Sequence, residues 1–303
     1  IYELFSKNHF QYSLFCAIIP TIRQHKGATT VEKIRRNERM SAMMKILSAS
    51  PNRIFTLSYF CELFGAAKST MSEDIDILRD VVKTFQLGEL ETVTGAAGGV
   101  RYRPRTSKAS SRAYIASLCE KLSNENRVLP GGFLYYSDIL STPQIVQRMG
   151  EILAAEYYET SPDFVLTMET KGIPVALMTA HALGIPLVIA RRSSKVYEGS
   201  AVNINYVSGS SGHIETMSLS RRAIQEGQRA LIIDDFIKAG GTAKGMIDLM
   251  HEFNVTVVGL GFVMSTAQPA KKRVQGEKAL MVMEISQEDN PVAKVQPAQW
   301  LNG

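Results

Sequence analysis

The sequence predicts an α/β protein of two domains, a small helical domain with a β-hairpin and a larger domain built on a parallel sheet. Three observations predict this class: 303 residues of which 45% are hydrophobic, helical periodicity in the first third, and alternating strands and helices after it. We expect residues 1–33, which show no strong period, to form a poorly ordered leader or to be sequence appended to the native protein. The first domain then spans 34–105, the linker 106–111 and the second domain 112–303.

Composition argues against a membrane-spanning, secreted or zinc-binding protein. No apolar run approaches the roughly 20 residues that a spanning helix needs. Cys16, Cys61 and Cys119 are odd in number and widely separated, which is typical of reduced thiols in a cytoplasm. The five histidines show no metal-ligand spacing with cysteines or acids. We therefore expect a cytoplasmic protein with no metal site formed by protein motifs.

The net positive charge lies entirely in the first third of the chain. Residues 1–105 hold 15 Lys or Arg against 10 Asp or Glu, whereas residues 106–303 hold 19 of each. A polyanionic partner is therefore expected to bind the first domain.

Three amphipathic helices are predicted in this domain. Met40, Met43, Met44 and Leu47 recur at helical spacing before Pro51-Asn52, and a short helix follows from Thr56 to Phe64, before Gly65. In AAKSTMSEDIDILRDVVKTF, Thr70 and Glu73 predict a capping box, and the apolar stripe of the third helix comprises Ile75, Leu78, Val82 and Phe85.

Two short strands in GELETVTGAAGGVRYRPR, joined by a Gly-rich turn, complete the pattern of a winged helix-turn-helix domain. We expect the start of the third helix to enter the major groove of DNA and arginines to hold phosphates. The predicted DNA-binding residues are Arg35, Arg36, Lys68, Ser69, Thr70, Ser72, Arg101, Arg103 and Arg105.

Three acids oppose this interpretation. Glu73, Asp74 and Asp76 lie in the first turns of the third helix and would repel a phosphate backbone if they faced it. The alternative is a winged helix that contacts proteins, with its arginines on a solvated face.

The second domain alternates helices and strands, which predicts a parallel sheet with helices on both faces. Helices are expected at 112–122, 143–158, 174–183 and 245–253, and strands at 163–168, 187–190, 231–233 and 255–264. In such sheets ligands bind beyond the carboxyl ends of the strands.

The stretch LIIDDFIKAGGT, Leu231 to Thr242, predicts a ligand site of this kind. Asp234 and Asp235 follow a buried strand, and the glycines before Thr242 open a helix whose N–H groups suit an anion. Carboxylates accept hydrogen bonds from vicinal hydroxyls, so a phosphorylated ribose fits the pattern.

LIIDDFIKAGGT resembles the loop with which type I phosphoribosyltransferases bind phosphoribosyl pyrophosphate (PRPP). TMETKGIPVA looks like the pyrophosphate loop of that family, and residues 191–218 look like its flexible loop. The resemblance implies that the acids hold the ribose hydroxyls and that Ala239 to Thr242 hold the 5-phosphate. The implied PRPP-binding residues are Asp234, Asp235, Phe236, Lys238, Ala239, Gly240, Gly241, Thr242, Thr170, Lys171 and Gly172.

Lys238 departs from the pattern, because active relatives usually carry a small residue there. Its ammonium either adds a phosphate contact, crowds the site or points to solvent. A candidate cover over the ligand comprises Arg127, Phe133, Tyr135 and Lys195.

Across the whole chain, a winged helix followed by a phosphoribosyltransferase-like domain is similar to the purine operon regulators of Gram-positive bacteria. RRNERM, KSTMSEDI, GAAGGVRY, LPGGFLYYSDIL and NYVSGSSG fit that family. The resemblance implies a homodimer that binds double-stranded DNA upstream of purine genes, with PRPP as effector, Mg²⁺ entering with PRPP, and no transferase activity. An active purine phosphoribosyltransferase with a fused DNA-binding domain stays open as the alternative.

Overall fold

The structure is a computed structural model that describes residues 34–95, 98–193, 199–208, 212–286 and 292–302. Within these ranges the chain forms a small helical domain with a two-stranded hairpin and a larger domain on a six-stranded sheet. None of the helices in the described ranges is long and apolar enough to cross a membrane.

Three helices and a hairpin form the first domain, as the sequence predicts. Buried apolar side chains from all five elements make one core, which explains why the amphipathic stripes converge. The elements are α1 (Arg36–Ala49), α2 (Leu57–Phe64), α3 (Lys68–Thr84), β1 (Glu89–Val93) and β2 (Gly99–Arg103), with β1 and β2 antiparallel.

Two predictions about α3 are wrong. Helix α3 begins at Lys68 after Ala67, so Thr70 lies inside the first turn and does not cap the helix. Phe85 is exposed, while Ile75, Leu78 and Val82 are buried, so the apolar stripe ends one turn earlier than the periodicity predicts.

The second domain is built on a mostly parallel sheet of order β12-β11-β10-β9-β5-β6, in which only β11 and β12 pair antiparallel. The fold class predicted from the sequence is thus confirmed. Its strands are β5 (Phe164–Met168), β6 (Leu187–Ala190), β9 (Arg229–Ile237), β10 (Thr256–Thr266), β11 (Glu277–Ile285) and β12 (Ala293–Pro297).

Helices cover both faces of this sheet, and each face has its own buried cluster. Three helices pack on one face: α4 (Lys108–Leu122), α6 (Pro143–Ala155) and α7 (Ile173–Leu183). Helix α8 (Gly241–Glu252) packs on the other, beside the antiparallel pair β7 (Ala201–Val207) and β8 (Ile214–Ser220). A short pair, β3 (Val128–Leu129) and β4 (Phe133–Leu134), precedes the short helix α5 (Ser137–Leu140).

Several predicted boundaries need correction. Strand β9 continues to Ile237, so both acids lie within the strand rather than after it. Helix α4 begins at Lys108, inside the predicted linker, and α8 begins at Gly241, four residues before the predicted start at Gly245. Strands β7, β8, β11 and β12 were not predicted.

Candidate functional site

Paired acids at the carboxyl end of β9 form the centre of the site. Asp234 is buried, and its Oδ1 accepts the backbone N–H of Asp235 at 3.0 Å. The half-buried Asp235 accepts the Tyr136 hydroxyl on Oδ2 at 2.7 Å. Burial first, and the neighbouring Asp235 charge second, hold the pKa of Asp234 above its usual range. The pair therefore favours a ligand that donates hydrogen bonds to carboxylates.

The predicted pyrophosphate loop packs directly against these acids. A Cβ at Gly172 would lie 1.9 Å from Asp234 Oδ1, so no larger residue fits there without a shift. Thr170 and Lys171 are exposed, and the Lys171 ammonium lies 5.1 Å from the centre of the Tyr136 ring. Strand β5 leads into this loop and α7 follows it. Because β5 pairs parallel to β9, the loop lies beside β9 at the carboxyl ends of the strands.

Helix α8 supplies the predicted phosphate cradle. Gly240 has φ +83°, a left-handed conformation that glycine adopts readily, and it turns the chain from β9 into the helix. The N–H groups of the first helical turn are free to bind an anion. The cavity at this helix start is lined by Asp234, Phe236, Ile237, Lys238, Gly240, Gly241, Thr242, Ala243 and Phe262.

The implied PRPP-binding residues thus come from two loops, and both loops lie at the carboxyl ends of the parallel strands β5 and β9. Lys238 is exposed and also lines the cavity, so its ammonium has both solvent and the cradle within reach. Ala239, which is half-buried, lies between Lys238 and the turn at Gly240.

Three of the predicted cover residues, Arg127, Phe133 and Tyr135, lie in the described segment before α5. Arg127 forms two hydrogen bonds to Asp138, each of 2.9 Å, and this pairing lowers the pKa of Asp138. Phe133 is 70% exposed and Tyr135 is also exposed. Lys195 lies outside the described residues. The predicted cover therefore stays a prediction.

Tyr136, whose hydroxyl donates to Asp235, was not among the predicted site residues. The chain alternates through β4 and beyond, with Phe133 and Tyr135 exposed and Leu134 and Tyr136 buried. The sequence carries no signal for this alternation, because all four residues of FLYY are apolar or aromatic. On the buried face, the Tyr136 hydroxyl donates to Asp235.

The region resembling a flexible loop contains the β7–β8 pair, whose described part is anchored on α8. The Tyr206 ring lies against Gly245, where a Cβ would be 3.0 Å away, and its hydroxyl donates to Glu215 at 2.8 Å. Burial, together with that hydrogen bond, raises the pKa of Tyr206 to about 12. The hairpin therefore packs beside the helix that begins at the cradle.

Part of the predicted DNA-binding surface is accessible. Lys68, Ser69 and Ser72 are exposed at the start of α3, and Thr70 is half-buried. Arg35 is exposed at the start of α1, and its backbone N–H donates to Glu38. Hydroxyls and an ammonium at a helix start suit phosphate and base contacts.

The acids that opposed DNA binding are paired with arginines of the same domain. Glu73 pairs with Arg36 at 2.8 Å. Asp74 is fully buried between Arg36, at 3.1 Å, and Arg39, at 2.8 Å. Asp76 pairs with Arg79. Most of this negative charge is therefore compensated within the domain. Arg36, a predicted phosphate contact, is already paired with Glu73 and Asp74.

The hairpin arginines differ in position, which corrects the prediction of one phosphate-binding row. Arg101 forms two hydrogen bonds to Glu91, at 2.8 and 3.0 Å. Arg103 is 6% exposed and donates to Asn52 at 3.0 Å. Arg105 alone of the three is classed as exposed. The alternation places Arg101 and Arg103 on one face, as predicted, and on that face both side chains bind to other residues of this chain, Glu91 and Asn52.

Comparisons with known proteins match both halves of the chain. Residues 35–104 match the family model described as "Bacterial purine repressor, N-terminal", and residues 135–299 match "Phosphoribosyl transferase domain". The purine biosynthesis transcriptional repressor PurR of Bacillus subtilis (strain 168) is 43% identical over 245 residues, which are 81% of this chain and 86% of the relative. The chain belongs to the family of purine biosynthesis transcriptional regulators.

Some members of this family are named repressors and others are named activators. The purine biosynthesis transcriptional activator PurR of Lactococcus lactis subsp. lactis (strain IL1403) is 39% identical over 82% of this chain and 92% of its own length. The family resemblance stated from the sequence is thus confirmed, and with it the class of transcriptional regulator.

The second domain also resembles an enzyme. A xanthine phosphoribosyltransferase of Geobacillus thermodenitrificans (strain NG80-2) is 35% identical over 157 residues, which are 50% of this chain and 81% of the relative. The similarity is confined to part of the chain, whereas the similarity to the regulators covers both domains.

In this two-domain regulator, buried polar contacts join the domains. The Asn52 side-chain amide donates to the carbonyl of Leu183 at 2.8 Å, and its oxygen accepts from Arg103. The Arg103 guanidinium lies 4.5 Å from the centre of the Tyr158 ring. Because α7 begins beside Gly172 and ends at Leu183, one helix touches both the candidate ligand site and the first domain.

Proposed function

We propose that this protein regulates purine biosynthesis genes by binding their DNA through the first domain and PRPP through the second, without catalytic turnover. One observation carries the proposal. A single chain matches the purine repressor N-terminal model over residues 35–104 and presents, in a phosphoribosyltransferase domain, the acid pair and glycine cradle of a phosphoribosyl site. A ligand site joined to a DNA-binding domain suits an effector that shifts DNA affinity.

The chemistry of the site supports PRPP as the effector. The cradle at Gly240 to Thr242 offers backbone N–H groups to a 5-phosphate, and Asp234 with Asp235 offers acceptors to the ribose hydroxyls. The loop around Lys171 adds an ammonium on the side where a pyrophosphate would lie. A ligand with only one of these groups would use only part of the site.

Magnesium enters the proposal only as an ion that PRPP carries. Among the residues that the structure describes, no group of three or more His, Cys, Asp or Glu could hold a metal ion. The carboxylates of Asp234 and Asp235 are the candidate ligands in the proposed PRPP site, and their oxygens suit Mg²⁺ that is also bound by phosphate oxygens.

Homodimerisation and binding to DNA upstream of purine genes are part of the same proposal. The names of the relatives support purine genes as the target. Sedimentation equilibrium tests the dimer: we expect twice the 33.5 kDa chain mass, and a single chain mass would contradict it.

Calorimetric titration with PRPP and Mg²⁺ tests the effector site. The intact protein should bind PRPP, and the double variant Asp234→Ala, Asp235→Ala should lose that binding because both ribose acceptors are removed. The control Asp248→Ala removes an exposed acid of α8 that pairs with Lys244, so it should bind as the intact protein does. Equal binding by the double variant would contradict the site assignment.

An active purine phosphoribosyltransferase is the alternative function, because the second domain resembles a xanthine phosphoribosyltransferase. Binding PRPP and activating it use nearly the same residues, so the site geometry fits both. Incubation with PRPP and each purine base separates them: we expect no nucleotide by chromatography. Turnover at about 1–1,000 per second, the ordinary enzymatic range, would contradict the sensor.

A further inference from the structure

The effector site contains a buried tyrosine whose hydroxyl bonds to one of the proposed ribose acceptors. Tyr136 donates to Asp235 Oδ2 at 2.7 Å. The Tyr136 ring packs against the Phe236 ring, with 6.5 Å between the ring centres. The Lys171 ammonium lies 5.1 Å from the centre of the Tyr136 ring. Tyr136 thus contacts the strand of the acids and the pyrophosphate loop together.

The hydroxyl is a neutral donor, as a ribose hydroxyl is. Burial first, and then the charge of Asp235, raise the pKa of Tyr136, so the phenol keeps its proton. A ribose hydroxyl that donates to the same carboxylate oxygen must displace the phenol or share Asp235 with it. Because a hydrogen bond to a charged acceptor is stronger than one to a neutral acceptor, this exchange affects affinity.

We propose that Tyr136 is a specificity-determining residue of the effector site, whose hydroxyl competes with a ribose hydroxyl for Asp235. A ligand with a ribose diol beside its phosphate replaces the lost hydrogen bond, whereas a ligand with phosphate alone leaves the phenol in place. Tyr136 therefore lowers the affinity for sugar phosphates that carry a ribose diol and leaves the affinity for free phosphate unchanged. This inference rests on the proposed function, since it names a determinant of the same PRPP site.

The test is the Tyr136→Phe variant of the full chain, which keeps the ring and removes the competing donor. We expect PRPP and ribose 5-phosphate to bind about tenfold more tightly than to the intact protein, because the competing hydrogen bond is gone. Inorganic phosphate, which uses only the cradle, should bind with unchanged affinity. Calorimetric titrations with the three ligands measure these affinities.

Tyr157→Phe is the matched control. Tyr157 is also a buried tyrosine, and its hydroxyl donates to the Leu260 carbonyl at 2.7 Å rather than to Asp235. Its loss should leave the affinity for all three ligands unchanged, although the protein becomes less stable.

Two results overturn the inference and can be told apart from failure of the proposed function. If the intact protein binds PRPP and Tyr136→Phe binds it equally or more weakly, the phenol does not compete. If Tyr136→Phe also binds inorganic phosphate about tenfold more tightly, the phenol does not act through competition with the ribose diol. An intact protein that binds no PRPP contradicts the proposed function itself.

Discussion

The ligand site of the second domain and the DNA-facing surface of the first are held in different ways. In the ligand site, the cradle and the acid pair come from one continuous stretch, Asp234 to Thr242, in which the backbone path fixes the geometry. On the first domain, charged side chains such as Arg36 and Arg101 are paired with acids elsewhere in the domain. A local backbone motif can therefore be identified from sequence, whereas the availability of a charged side chain depends on distant partners.

The largest effect is expected at the most buried charge of the first domain. Asp74→Ala removes a fully buried carboxylate and leaves Arg39, which is also buried, without its partner. We expect a loss of about 3–5 kcal/mol from the stability of this domain. Amide hydrogen exchange across α1 and α3 measures that loss.

Asp76→Ala is the matched control, because its carboxylate is 63% exposed and pairs with Arg79 on the same helix. Its loss should cost under about 1 kcal/mol. Equal protection in the two variants would show that the buried pairing does not stabilise the domain.

The next largest effect is expected where Gly172 packs against Asp234 in the ligand site. Gly172→Ala brings a Cβ to 1.9 Å from Asp234 Oδ1 and 2.6 Å from Thr167 Oγ1. We expect a cost of about 1–3 kcal/mol and roughly 10- to 100-fold weaker PRPP binding, because Asp234 must move. Calorimetry with PRPP checks it. At Gly227 no atom lies within 4 Å of a new Cβ, but the φ of +79° strains any other residue, so Gly227→Ala should destabilise the protein and leave PRPP affinity unchanged; equal loss of affinity would point to general destabilisation.

The smallest effects separate the hairpin arginines. Arg105→Ala removes an exposed cation, so the slope of log affinity against log salt for DNA should fall by about 1. Arg103→Ala removes the contacts to Asn52 and Tyr158 and should leave that slope unchanged while weakening the response of DNA binding to PRPP. Fluorescence anisotropy over a salt series distinguishes the two. A fall in slope for Arg103→Ala would restore the phosphate role predicted for it.

Periodicity predicted both domains because most of their helices and the central strands of the sheet carry their own apolar pattern, although it missed β7, β8, β11 and β12. It misplaced Thr70, which lies within the first turn of α3, and the end of β9, which extends through polar residues to Ile237 because β10 pairs alongside it. An extended polar segment inside a sheet has no local apolar signal. Tertiary pairing therefore determined these boundaries.

The ligand site was predicted where its residues are neighbours in sequence. Gly240 and Asp234 belong to one motif, and both line the cavity at the start of α8. Tyr136 comes from a separate segment 99 positions before Asp235, and nothing in the sequence FLYY distinguishes it from Tyr135. Likewise, the sequence gives no sign that Arg103 pairs with Asn52, because that contact depends on the domains packing together.

The central claim is that PRPP, bound at the acid pair, changes DNA affinity without chemistry. Its most direct test is the DNA affinity of the full chain at fixed salt, with and without saturating PRPP and Mg²⁺, on DNA from a purine gene control region. We expect PRPP to change the affinity of the intact protein by about 5- to 150-fold, and that of Asp234→Ala, Asp235→Ala not at all, with equal basal binding. An intact protein indifferent to PRPP, or a double variant that responds equally, would contradict the account.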